Sequence, residues 1–547
     1  MTFYGFNIPK AKKALPKWQA LIRALLVLAV IAVGIDYVTL PAYNIHDTAF
    51  IMLVVFYLFI FGMVYFVFSY QIDFIVKLCI GLGFALIAFT LLFSFLSSEM
   101  LNAGRYRDQI QITSSNEFNA QFDAIQLEKI PLVDQNTAQQ LGDKQIGRVQ
   151  GLGSQFDIND EYILINQKDN VYRVSPLEYQ DSIKWFQNRE KGIPGYVRVN
   201  VTDASDVKLI ELSEGIKYAP SAFLSEDLMR HVRFKYRTEI FDATSFEIDD
   251  EDNPFYVISV IEPEIGWFGG WDTSSVITVD AVNGDMQKYA IEEMPAWVDR
   301  AQSARIAWYQ IDNWGYYVNG WINTLFGQKD MIQTTDGFNY VSIDGQTHIF
   351  SGLTSVGADR SIVGFALINL RTKEASYIQI GGADELSAMN SATGQVQHLN
   401  YESTFPVLLN VDGFPTYFMA LKDYEGLVKL YAMVSVQDYA LVGVGASVEE
   451  ARLTYLNQLK EGGQIVDLPI DAFSAEGIVL DIKEVVLDGT SVYYLMLEGQ
   501  SGLFIVSSKT SVEASFTKIG DNVALSYQKR SDLVYDVQTF DNLNLNY

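Results

Sequence analysis

The sequence predicts an α+β protein. An N-terminal anchor of three transmembrane helices comes first, then repeated small modules of one helix with an antiparallel sheet, then a five-stranded β-barrel. Three observations lead there: three long apolar runs within the first hundred residues, a helix-then-hairpin pattern that occurs twice, and five short strand-like runs at the end. The chain's 547 residues leave room for several domains at about 150 residues each.

The anchor is expected over residues 18–96, behind a basic tail at 1–17. Residues 20–40 are apolar except for Arg23 and Asp36 near the two ends, where side chains snorkel to the interface. Residues 49–70 carry no charge, and residues 74–96 carry only Lys77. Each run is long enough to cross a hydrocarbon core of about 30 Å as a helix. Residues 20–40 read as a span rather than a secretory signal, because the stretch is long, no small-residue cleavage pattern follows and two more spans come after it. Lys10, Lys12, Lys13, Lys17 and Arg23 crowd the leading tail and its junction, whereas the loop at 36–48 has no Lys or Arg. The positive-inside rule then places the N-terminus in the cytoplasm and everything after residue 96 outside, in a multi-pass cell-membrane protein. Asp73 and Lys77 stand four residues apart and are expected as an interfacial pair. Cys79 is expected as a small apolar packing residue.

Charge separates the two regions. Residues 1–97 hold six Lys/Arg and three Asp/Glu, net +3, and the remaining 450 residues hold 33 and 63, net −30. A chain at −27 has almost no electrostatic support for phosphate contacts, so nucleic acid is excluded as a partner. One cysteine rules out an internal disulfide framework, and four widely spaced histidines argue against a histidine-rich metal centre.

Residues 97–145 are rich in Ser, Asn and Gln and read as a stalk or linker, with a short helix at 137–141 behind the candidate caps Asp134 and Asn136. An α+β module is expected at 146–222. Its strands begin at Glu161 and Asn170 around the turn Lys168-Asp169, a helix spans 182–188, and Gly192-Ile-Pro-Gly195 ends that helix before a strand at 196–201. Residues 223–300 and 381–465 then repeat one pattern, separated by a connecting helix and hairpins at 301–380. Tyr236-Arg-Thr, Phe246-Glu-Ile-Asp and Pro254-Phe-Tyr-Val correspond to Tyr401-Glu-Ser, Leu409-Asn-Val-Asp and Pro415-Thr-Tyr-Phe. A helix is expected before each, at 226–232 and 384–391, and both arms of each hairpin alternate apolar residues around an acidic or Gly tip. Asn283-Gly284 is the strongest type I′ turn signal in the chain. Ser447-Val-Glu-Glu450 is a capping box.

The helix followed by antiparallel strands, with Val279-Asp-Ala-Val-Asn-Gly284 as strand, turn and next strand, resembles the PepSY module of bacterial secreted and membrane proteins. The second copy keeps the helix–hairpin order but lacks the Asp-x-x-x-Gly signature. The whole chain resembles multi-pass membrane proteins of Gram-positive bacteria through Gly192-Ile-Pro-Gly-Tyr196 and Phe326-Gly-Gln-Lys329, a resemblance that implies no particular activity. Residues 466–547 hold five short strands, a connector with Ser511 and Ser515 between the third and fourth, and the turn Lys518-Ile-Gly-Asp521; that order resembles an OB-type barrel.

No G-x-S-x-G, H-E-x-x-H, P-loop or G-x-G-x-x-G is present, so no catalytic residue, cofactor or metal ligand is assigned. Asp249-Asp-Glu-Asp252 lacks the glycine and distal glutamate of a calcium loop and is expected as an exposed acidic hairpin tip. The candidate binding loop is 266–271, where Trp267, Phe268 and Trp271 stand among three glycines. Large amphipathic rings offer contact area at low entropic cost, and the competing expectation is a glycine-kinked bulge with its rings folded onto the sheet. The aromatic stretch Trp308, Tyr309, Trp314, Tyr316, Tyr317 and Trp321 is expected to serve core and inter-module packing rather than to form a ligand cage. The expected function is a non-enzymatic envelope protein bound to the lipid bilayer, with an envelope protein, peptide or wall polymer as partner. A PepSY-type regulator of an extracytoplasmic peptidase and a carboxylate-dependent enzyme on glycan or wall polymer are the alternatives.

Overall fold

The computed structural model describes residues 15–115, 118–121, 130–149, 151–168, 170–357, 361–464, 473–487, 490–508, 510–531 and 533–545. The chain is mixed α+β and divides into two compact units, 1–458 and 459–547.

The first unit begins with three helices long and apolar enough to cross a membrane: α1 (Lys17–Thr39), α2 (Thr48–Ser69) and α3 (Phe74–Leu96). Asp47 and Asp73 cap α2 and α3 by accepting the backbone N–H of Ala49 and Ile75. Small residues set the spacing of α2 and α3. A Cβ on Gly62 would stand 3.2 Å from that of Cys79, and one on Gly83 would enter the ring of Phe59. Cys79 is buried in that contact. Asp73 does not pair with Lys77 through its side chain. Its carboxylate takes the ammonium of Lys17 at 3.2 Å and the hydroxyl of Tyr65 at 2.8 Å, because capping the helix turns the side chain away from its own fourth residue. Asp36 accepts the hydroxyls of Tyr43 (2.7 Å) and Tyr57 (2.5 Å), which ties α1 to α2 and their loop.

The described residues between 99 and 445 form a head of two similarly built halves. In the first, strands Phe156–Ile158, Ile163–Gln167, Asn170–Tyr179, Ile193–Asn200 and Val207–Ile216 make an antiparallel sheet. The helix Leu228–Lys235 follows, then a four-stranded meander of Ile240–Ile248, Pro254–Ile265, Gly269–Asp280 and Met286–Ala290. In the second half a seven-stranded sheet is built around Gln346–Ser355 and Ser361–Asn369. It is followed by the helix Glu385–Gln395 and a five-stranded sheet containing Val407–Val411, Phe414–Lys422, Val428–Ser435 and Val442–Gly445. Alternation along Pro254–Ile265 sends Tyr256, Ile258 and Val260 into the first core and Val257 into a smaller cluster with Met294 and Val298.

The internal repeat holds at the level of single hydrogen bonds. The N–H of Ala281 donates to the carbonyl of Pro254, and that of Val436 to the carbonyl of Pro415, each at 3.1 Å. The carbonyl of Ala281 receives Lys217 and Tyr218, and that of Val436 receives Ala383. Tyr256 and Tyr417, two residues after each proline, are both buried. Ser435, opposite Thr416, occupies the place of Asp280, opposite Phe255, and Tyr439 that of Gly284, so the second copy shows no Asp-x-x-x-Gly.

Several sequence expectations are modified. Asn283-Gly284 is not a type I′ turn. Only Gly284 has positive φ (+80°), because the Asp280 carboxylate takes the N–H groups of Val282 and Asn283 and wraps a five-residue loop. The Gly192-Ile-Pro-Gly195 stretch lies largely inside the strand Ile193–Asn200, with a bulge between Ile193 and Gly195. The described residues of 97–145, expected as a stalk, pack into the head. Ile112–Ser115 pairs in parallel with Ala375–Ile378, and the helix Gln135–Ile146, capped by Asp134, buries Ala138 and Ile146 in the first core. The Asp249–Asp252 tip is a hairpin tip, but not a freely exposed one. Asp249 is buried, accepting the N–H groups of Glu251 and Asn253, and Asp252 pairs with Arg198 at 2.6 Å. The turn residue Asp169 lies outside the described residues.

The second unit holds a closed barrel, ordered Phe473–Leu487, Thr490–Leu497, Leu503–Ser507, Val534–Asn542 and Asn522–Ser531, in which Leu503–Ser507 and Val534–Asn542, third and last in the chain, pair in parallel. Val479, Leu495, Phe504, Val506 and Val523 fill it. The turn at 518–521 forms as a local clasp, the N–H of Lys518 donating to the Asp521 carboxylate at 2.8 Å.

Candidate functional site

Of the three aromatic residues singled out in the sequence, Trp267 and Phe268 lie in the loop between strands Pro254–Ile265 and Gly269–Asp280, which meets the end of the anchor, and Trp271 lies inside the second of those strands. Gly266 and Gly270 both have positive φ (+66° and +63°), which lets the chain reverse within a few residues. Trp267 lies 5.6 Å from Phe89 and 5.6 Å from Phe93, ring centre to ring centre, near the end of α3. Its indole N–H donates to the carbonyl of Ile45 at 3.0 Å, and the His46 ring lies 5.1 Å away. Phe268 is buried and edges onto Phe89 at 6.3 Å. Trp271 is half-buried, and its carbonyl accepts the amide of Gln310 at 3.2 Å. The structure thus brings Trp267 and Phe268 together on the anchor and leaves Trp271 on the side of the helix Ala304–Tyr316.

Two residues outside the loop complete this joint. Ser97, immediately after α3, accepts the N–H of Trp267 at 2.9 Å and of Phe268 at 3.3 Å through its hydroxyl. Tyr106, on the helix α4 (Glu99–Arg107), donates to the carbonyl of Ser97 at 2.7 Å and accepts the N–H of Gly270 at 3.1 Å. Burial pushes the Tyr106 phenol up to about 12, so it stays a donor at neutral pH. On the other flank, Tyr43 donates its N–H to the carbonyl of Arg237 at 2.8 Å, and the Arg230 guanidinium lies 4.3 Å over the Tyr37 ring. Serine and tyrosine at these positions carry no motif; only the proximity of 97–106 to the end of a predicted span hinted at them.

A buried polar knot joins the two halves of the head. Glu247, fully buried, accepts the hydroxyl of Ser245 at 2.7 Å and the N–H of Asp299 at 2.7 Å. The Asp299 carboxylate in turn accepts the backbone N–H of Asn166 and, at 3.3 Å, its side-chain amide. Asn166 also reaches Thr347 at 3.0 Å and accepts the hydroxyl of Ser342, both from the second half. Burial raises the Glu247 carboxyl above its ordinary value. Burial and then the neighbouring Glu247 charge push Asp299 up to about 8, so at neutral pH the Asp299 carboxyl holds a proton. These two carboxyls converge in the core, not in a cleft.

An open cleft of 580 Å³ lies at the end of the first sheet. Glu190 and Glu214 line it together with Lys191, Lys217, Gly192 and Pro194. The aromatic stretch expected in core and inter-module packing contacts several elements: Trp308 packs on Phe338 at 4.9 Å, Trp314 on Tyr377 at 5.6 Å, and the Tyr309 hydroxyl bonds Glu99 of α4. No protein-family model matches this chain, and no curated protein matches its sequence.

Proposed function

We propose that the protein is a multi-pass, membrane-anchored scaffold, with its N-terminus in the cytoplasm and its acidic head outside, that holds an envelope protein, peptide or wall polymer close to the bilayer. The observation that carries this reading is the joint at Trp267: the aromatic loop is engaged in seating the head on α3 and on the loop that follows α1, so the head is held rather than tethered. The helix-then-antiparallel-sheet order of both halves supports reading them as PepSY-like modules. The strand order of the C-terminal barrel, with its third and last strands parallel, supports an OB-like module. Edge strands and barrel faces bind extended chains through backbone groups and need no titratable machinery.

A protease that cannot cross the membrane, added to intact cells, is expected to cut a tag placed after Tyr547 and to spare one placed before Met1. The reverse pattern overturns the orientation. Purification of the full chain from its own envelope is expected to retain a protein, peptide or polymer partner through mild detergent; a chain that emerges bare overturns the scaffold.

The cleft favours one second reading. Glu190 and Glu214 line it together, as a carboxylate-dependent enzyme on glycan or wall polymer requires. Release of soluble fragments from wall polymer by the purified chain, lost in Glu190→Gln and Glu214→Gln, would establish that reading; intact polymer removes it.

A further inference from the structure

The short helix Trp321–Phe326 stands against the expectation that apolar side chains of a water-borne domain find cover. Ile322, Leu325 and Phe326 are 70%, 53% and 85% exposed. Their spacing of three and four residues puts them on one face. Its polar residues are used internally: the Asn323 side chain accepts the N–H of Lys329 at 3.1 Å and donates to its carbonyl at 3.0 Å, and Thr324 bonds the carbonyl of Trp321 at 2.7 Å. The result is a fixed apolar ridge rather than a loose loop.

Its place in the fold says what covers it. The ridge packs beside α4, which begins only three residues after α3 ends at Leu96. The preceding helix, Ala304–Tyr316, is pinned there by the bond from Tyr309 to Glu99. On α4 itself, Met100 and Leu101 are 47% and 50% exposed, continuing the apolar surface of Leu96 at the end of α3. Exposed apolar side chains therefore stand at the end of the third span and again on α4, beyond the short polar link Ser97-Ser98-Glu99, with the ridge alongside, level with where a bilayer surface lies if α3 crosses it.

We propose that this surface is an interfacial membrane contact: Ile322, Leu325 and Phe326, with Met100 and Leu101, sink into the headgroup and upper acyl region of a phospholipid leaflet. Apolar faces of this kind bury about 5–10 Å into that boundary. The head is then held at the bilayer at a second point besides the Trp267 joint, which fixes its tilt. This rests on the reading of α1–α3 as membrane spans.

The test uses the full chain in lipid nanodiscs of phosphatidylglycerol and phosphatidylcholine, on a Cys79→Ala background. An environment-sensitive fluorophore is attached in turn at Phe326→Cys, at Phe56→Cys within α2 and at Tyr424→Cys, a turn residue 95% exposed. Lipids carrying a nitroxide just below the headgroup are expected to remove most of the emission at 326 and to leave 424 unchanged, and deeper nitroxides to quench 56. If 56 is quenched and 326 behaves like 424, the interfacial contact is wrong while the spans stand. If 56 is not quenched, the spans and this contact fall together. A label at 326 that is shielded from aqueous iodide yet untouched by lipid nitroxides assigns the ridge to a protein partner and overturns the proposal.

Discussion

The hydroxyl of Ser97 accepts the backbone N–H of Trp267 at 2.9 Å, across 170 residues of chain. One side of the contact is the first residue beyond α3, and the other is the tip of the meander in the first half of the head. Ser97 itself is buried, so its oxygen has exchanged water for these N–H groups.

Trp267→Ala is expected to loosen this joint. It removes the ring from Phe89, Phe93 and His46 and leaves the carbonyl of Ile45 without its indole donor. Wholly buried tryptophans cost about 3–5 kcal/mol on truncation, and for this half-buried ring about 2–3 kcal/mol is expected. Amide hydrogen exchange at 266–271 reads it directly. Faster exchange in the alanine variant, partly restored by Trp267→Phe, is the expected result; unchanged exchange means that the loop does not hold the head.

Gly284 has φ +80°, and a Cβ there would strike the ring of Tyr218 and stand 2.8 Å from Nε2 of His231. Gly284→Ala is expected to cost well over the about 1 kcal/mol of a left-handed alanine alone. Gly345→Ala is the control: φ is +71° there too, but nothing lies within 4 Å of the new methyl. Thermal melts of both variants separate the steric part from the backbone part, and equal losses would show that the Tyr218–His231 pair yields.

The Asp299 knot predicts a pH dependence with a definite sign. Its folded-state value is raised from 3.8 to about 8, so the folded chain keeps a proton that the unfolded chain releases. The stability it contributes is fully present below the unfolded value and drains away as the pH climbs to about 8. Asp299→Asn keeps an oxygen for Asn166 but does not titrate. Relative to the native chain, its unfolding temperature is expected to rise steadily between about pH 4 and pH 8, with the largest advantage near pH 8. Parallel curves for the two proteins would show that the Asp299 charge is not excluded from the core.

In the barrel, Asn542 is buried and its amide donates to Thr517 at 3.0 Å and to Asp521 at 2.9 Å. That bond is the leading reason the Asp521 carboxyl lies below its ordinary value. Asn542→Leu is expected to destabilise the barrel by about 1–3 kcal/mol and to move the Asp521 titration upward. Denaturant unfolding follows the first and carboxyl-carbon NMR the second, and an unmoved Asp521 would remove the assignment.

Period and composition determined much of this protein without any tertiary information. Apolar runs long enough to span a bilayer identify α1, α2 and α3 because a helix in hydrocarbon needs only length and the absence of charge. The helix–hairpin repeat and the five barrel strands were legible because turn residues and alternation are local signals. Contacts between segments far apart in sequence were left to the fold. Glu247 alternates with the core residues Phe246 and Ile248, so the pattern sets it on a solvent face, yet it is buried, because the distant segment 294–301 arrives there and Asp299 and Arg300 donate their backbone N–H groups to its carboxylate. Trp267, Phe268 and Trp271 were visible as an aromatic loop, but what they meet depends on where Ser97 and Tyr106 arrive, and no local propensity encodes that.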